Sequence, residues 1–85
     1  VSPERRLAWR AFFAELRGIV LEAKEPTGAY PGFDDEDDPV IESYARTLMR
    51  WVASKDFQYR EAVRDFEAML VLAEERLDDL QRRAG

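Results

Sequence analysis

The side chains that most often carry catalysis set the first limit on this sequence. It has no histidine and no cysteine, which removes imidazole general-base chemistry, thiolate nucleophiles, zinc sites of the usual kind and disulfides. It also has no glycine-rich phosphate loop. What remains is acid and arginine. The densest group is Asp34-Asp35-Glu36-Asp37-Asp38, which could offer oxygens to a hard cation or dock electrostatically on a basic partner. A calcium loop of EF-hand type needs glycine at its sixth position and glutamate at its twelfth. Counted from Asp34 these are Pro39 and Ala45, so the motif fails. Looser divalent-cation binding by residues 34–38 is left undecided by the sequence. The plainer role of the run is to meet the positive end of the helix that follows it.

Two further constellations carry charge at helical spacing. Glu42, Arg46 and Arg50 lie one turn apart, a ladder of the ion-pairing kind that could also hold a phosphate. Glu74-Glu75-Arg76-Leu77-Asp78 resembles, over those five residues, the paired-acid helix of the all-α nucleoside triphosphate pyrophosphatases, where carboxylates one turn apart hold Mg²⁺. That resemblance implies a second acidic helix motif downstream, and only seven residues follow Asp78. A helical wheel also puts Glu75 and Asp78 on the polar face. An Mg²⁺-dependent pyrophosphatase is therefore the weakest of the readings, and the expectation is a protein that is not an enzyme and needs no cofactor and no metal.

The elements that must position these groups are helices. Ser2-Pro3-Glu4 is an N-cap, a first-turn proline and a dipole-matching acid, and Asp38-Pro39 repeats the signal. The spacing predicts helices over about 3–24, 39–54 and 56–83, with Pro26 and Gly28 ending the first and Ser54 or Asp56 capping the third. The last carries Tyr59, Val63, Phe66, Leu70, Ala73, Leu77 and Leu80, alternating by three and four as in the seam of an antiparallel helix pair. The fold class is thus all-α: a three-helix bundle or a long helical hairpin, completed by dimerisation, in one domain over residues 1–85. The hairpin alternative arises because neither Gly nor Pro separates Val52 from Tyr59. Unbroken, residues 39–83 would form a rod of about 65 Å.

Residues 25–38 form a crossover longer than the two to eight residues that commonly join packed helices. Tyr30 and Phe33 within it have little use in a solvated linker and are expected to tuck onto the bundle. The alternative is a partner-binding loop.

The first helix shows two apolar stripes. Trp9, Phe12, Phe13, Leu16, Ile19, Val20 and Ala23 fill one arc about 120° wide. Opposite it, Leu7, Ala11, Ala14, Gly18 and Leu21 repeat at spacings of four and three, with Glu15, Glu22 and several arginines between the stripes. Glycine within a helix costs roughly 1 kcal/mol relative to alanine, so Gly18 suggests a close approach by another helix. Either the chain's own helices two and three sandwich helix one, or this stripe packs on a second copy or another protein.

Composition sets the remaining bounds. A chain of 85 residues buries only about 60–65% of its unfolded surface, so its stability is marginal and oligomerisation is a ready reinforcement. The net charge is −5, and residues 25–42 hold seven acids and no base, which argues against a nucleic-acid-wrapping surface. The longest apolar run, Ala68 to Ala73, is too short to span a bilayer, and the expected location is cytoplasmic. The expected function is a helical protein-protein interaction or assembly module, a homodimer or a small subunit on a larger protein, with Leu7, Ala11, Ala14, Gly18 and Leu21 at the contact. The alternative is an acidic inhibitor or immunity-type protein that masks a basic enzyme or nucleic-acid-binding surface through residues 30–38, with Tyr30, Phe33, Asp34, Asp35 and Asp37 in contact.

Overall fold

The structure, a computed structural model, describes residues 2–54 and 60–84. Helix α1 spans Pro3–Leu21, α2 spans Pro39–Ser54 and α3 spans Arg60–Ala84. The expected cap at Asp56 and the seam residue Tyr59 lie outside the described residues.

The starts of α1 and α2 follow the local sequence. Ser2 sits in extended backbone and its hydroxyl accepts from the Arg5 amide at 3.2 Å, with Pro3 in the first turn. Asp38 does the same for α2, its Oδ2 accepting from the Ile41 amide at 3.1 Å. The end of α1 differs from expectation: the helix stops at Leu21, not near Lys24. The Gly18 carbonyl accepts from both the Glu22 and the Lys24 amides, and Ala23 turns the chain out through the left-handed region at φ 53°. Glycine is the usual signal for such an exit, and alanine gives none.

Ion pairs fix the directions of the helices. Arg10 meets Asp78 and Arg17 meets Glu74 and Glu67, so α1 and α3 are antiparallel. Asp38 meets Arg76 while Trp51 packs on Phe66 with ring centroids 6.1 Å apart, so α2 and α3 are antiparallel too. A continuous rod would hold Asp38 and Arg76 about 57 Å apart; their side chains are 2.8 Å apart. The long-hairpin alternative is therefore replaced by a small bundle in which α3 folds back along α2 and forms the wall shared by α1 and α2. Its longest dimension, 40 Å, is about the length of the 25-residue α3.

Because α1 and α2 both oppose α3, they run parallel to each other. The chain must then return from the end of α1 to its beginning before α2 can start, a distance of about 28 Å for 19 helical residues. That requirement explains the length of the crossover. Its backbone descends alongside α1, with Thr27 and Ala29 at Glu15, Tyr30 at Phe12, Phe33 at Trp9 and Asp37 at Arg5.

The core is one cluster. Trp9, Phe12, Phe13 and Leu16 come from α1, Ile41, Ala45 and Leu48 from α2, and Phe66, Leu70, Ala73 and Leu77 from α3. The first apolar stripe of α1 and the seam of α3 supply these residues as their periodicity implies.

Candidate interaction surfaces

Three places in the fold bring together residues singled out by the sequence: the acidic crossover, the outward stripe of α1, and the arginine ladder of α2.

The acidic run divides in two. Asp37 and Asp38 are buried, and each reaches a different helix. Asp37 accepts from Arg5 Nε at 2.9 Å and from the Asp34 amide at 2.9 Å, while the same guanidinium donates to the Pro31 and Gly32 carbonyls. Asp38 accepts from Arg76 Nε at 2.9 Å and Nη2 at 2.8 Å while capping α2. The neighbouring guanidinium holds each carboxyl below its ordinary pKa, Arg5 for Asp37 and Arg76 for Asp38, and burial opposes the shift without overcoming it. The buried Trp9 indole N–H also favours the ionised Asp37, although its geometry falls short of a hydrogen bond. Asp37 thus leaves the set of solvent-facing acids in which the sequence placed it, because its carboxylate is the anchor between the start of α1 and the start of α2. Asp34, Asp35 and Glu36 remain exposed.

The aromatics of the crossover lie on the bundle. Phe33 stacks on Trp9 at 5.6 Å and 28°, and Tyr30 tilts over Phe12 at 5.3 Å. Tyr30 nevertheless keeps 42% of its surface exposed, beside the free end of the acidic run. Glu15 ties the descending chain to α1 by accepting from the Thr27 amide and hydroxyl and from the Ala29 amide, and these bonds, the Thr27 hydroxyl first, lower its pKa.

Among the described residues no helix covers the outward stripe of α1 at Leu7, Ala11 and Ala14. Leu7 is 67% exposed, and Ala11 and Ala14 are exposed with it. The intramolecular sandwich is therefore not what the fold builds. Leu21 is half-buried, and Gly18 is buried by its own chain: a Cβ there would meet the Lys24 side chain at 3.4 Å. The close approach expected at Gly18 is thus made by Lys24, which folds back after the left-handed turn at Ala23. Leu7 also borders a shallow cleft with Pro3, Arg6, Arg10 and Gln81, between the start of α1 and the end of α3.

Residues 74–78 turn to other uses than a paired-acid metal motif. Glu74 and Asp78 face α1, on Arg17 and Arg10, and Arg76 faces Asp38. The Asp79–Arg83 pair forms as its spacing suggests, while Asp78 bonds to Arg10 in place of Arg82. On α2, Arg46 donates to Glu42 and lies over the Phe33 ring at 4.0 Å. Periodicity did not single out Val71 and Leu72, which are 42% and 47% exposed. Their signal was the six-residue apolar run itself, which is longer than a seam on one helix face can bury.

No family model matches the chain, and neither the curated proteins nor the solved structures give a match. Among the described residues no helix is long and apolar enough to cross a membrane.

Proposed function

We propose that the protein is a helical association module whose outward α1 face packs against another polypeptide, in the first instance a second copy of itself. The observation that carries the reading is the uncovered stripe of Leu7, Ala11 and Ala14 on the side of α1 opposite its core residues. Leu7 at 67% exposure is the most exposed large apolar side chain among the described residues. The open part of the stripe is shorter than the spacing alone implied, because Lys24 lies over Gly18. Its alanines would let a facing helix approach closely, with Leu7 reaching across. A two-fold pair is the commonest assembly and one that a chain this small gains stability from.

Ala11→Glu and Ala14→Glu test the reading directly. Both positions are exposed, so each variant should keep the helical content and melting behaviour of an isolated chain. Sedimentation equilibrium should show wild type at twice the chain mass and both variants at the single mass. Equal masses throughout would remove the α1 face as a self-association surface.

A second reading rests on Asp34, Asp35 and Glu36, which stay exposed next to the half-exposed Tyr30. In it the crossover docks on a basic protein surface, as an acidic inhibitor would. Salt separates the two: an electrostatic dock weakens from low to moderate ionic strength, whereas an apolar helix seam is nearly indifferent.

A further inference from the structure

A shallow, widely open cup of about 270 Å³ lies where the crossover meets α2, lined by Phe33, Arg46, Met49 and Arg50. Its chemistry is mixed: an aromatic ring, a thioether and two guanidiniums one helical turn apart. Arg46 is held from two sides. Its Nε and Nη2 donate to Glu42 Oε1 at 3.0 and 2.8 Å, and its guanidinium carbon stands 4.0 Å from the centre of the Phe33 ring. That ring is backed by Trp9, which is 1% exposed. Nη1 of Arg46 makes no hydrogen bond among the described residues. Arg50 is exposed and has no carboxylate partner there either. A guanidinium fixed on an aromatic face with one edge free has already lost much of the rotamer entropy that an arginine gives up on binding an anion.

We infer that this cup receives a single carboxylate, that of an Asp or Glu side chain with an apolar neighbour on a partner polypeptide. The free edge of Arg46 and the head of Arg50 would take the carboxylate, and Met49 with the rim of Phe33 would take the apolar neighbour. Two features choose this occupant. The exposed Asp34, Asp35 and Glu36 follow Phe33 directly in the chain and repel an extended polyanion such as nucleic acid or an anionic bilayer several times more strongly than one compact charge. The cup is also shallow and widely open to solvent, so a small free anion would keep most of its hydration and bind weakly; an anion presented by a larger body gains contact area around it. This contact involves other residues than the α1 stripe and stands whether or not that stripe self-associates.

The test uses the intact chain, labelled for NMR, and three probes: the blocked dipeptide N-acetyl-Phe-Glu-amide, its glutamine counterpart, and inorganic phosphate. The glutamate peptide should shift the Arg46 and Arg50 Nε–H signals and the Met49 methyl in a saturable way in the millimolar range. Arg50→Ala, at an exposed position that leaves the core untouched, should weaken that binding roughly fivefold, the size of one partly exposed ion pair. The inference is overturned by an equal response to the glutamine peptide, by phosphate binding as tightly as the glutamate peptide, or by an Arg50→Ala protein that binds unchanged.

Discussion

At the scale of single residues, the fold turns on two adjacent carboxylates with different tasks. Asp37 locks α1 to the crossover through Arg5, and Asp38 caps α2 and clasps α3 through Arg76. Removing Asp37 leaves Arg5 without its main partner and frees the Asp34 amide. Asp37→Ala should therefore cost about 2–3 kcal/mol in urea unfolding, since it breaks charge-assisted hydrogen bonds at a buried carboxylate. Asp35→Ala, at an exposed position, should change stability by less than about 0.5 kcal/mol. The sign of the pH dependence follows from the same pair. Both carboxyls titrate below their unfolded value near 3.9, so the unfolded chain binds protons first as pH falls. Their contribution is complete above that value and is lost as pH drops through the depressed folded values. The urea midpoint should be nearly flat from pH 7 to 5 and fall below about pH 4. In a doubly substituted Asp37→Asn, Asp38→Asn protein that fall should be visibly shallower.

Beyond the Asp38 cap that precedes Pro39, this division was not legible in the sequence, where five consecutive acids look alike. What separates them is contact with arginines 32 and 38 residues away, and no local pattern encodes such pairings. The aromatic residues of the crossover were more readable, because two large rings inside an acidic, turn-rich segment have no reason to face water.

At the scale of elements, the starts of α1 and α2 were legible and the end of α1 was not. Ser-Pro and Asp-Pro fix a cap and a first turn by local stereochemistry. The end of α1 depends on Ala23 entering left-handed backbone, which costs a residue with a Cβ about 1–2 kcal/mol and which the crossover imposes from outside. Gly18 shows the consequence. Its position in the outward stripe suggested a neighbouring helix, yet the atom a Cβ would meet first is Cδ of the flexible Lys24 side chain. Lys24 is 69% exposed and can yield by a few tenths of an ångström. Gly18→Ala should therefore stabilise the chain by about 0.5–1 kcal/mol through helix propensity and leave its mass in solution unchanged. A destabilised protein, or one that loses association, would mean that another backbone occupies the place assigned to Lys24.

At the scale of the whole molecule, the periodicities determined which faces pack but not how the helices connect in space. Whether α2 and α3 are one rod or two antiparallel helices was undecidable from phase, since the apolar repeat runs on past Val52. The fold settles it through the Asp38–Arg76 clasp, and the parallel placement of α1 and α2 then makes the long crossover a geometric necessity. The same topology leaves the outward side of α1 uncovered among the described residues. If association through that face supplies part of the stability, folding is coupled to assembly and the melting temperature must depend on protein concentration. For a two-state dimer of chains this size, each tenfold rise in concentration should raise the midpoint by about 3–5 °C. Scans over two decades of concentration would read this easily, and added salt should leave the slope nearly unchanged because the contact is apolar. The Ala14→Glu protein should melt at one temperature at every concentration. A wild-type midpoint equally indifferent to dilution would show that the bundle is stable alone, and the exposed Leu7 would then have to be explained by a partner other than itself.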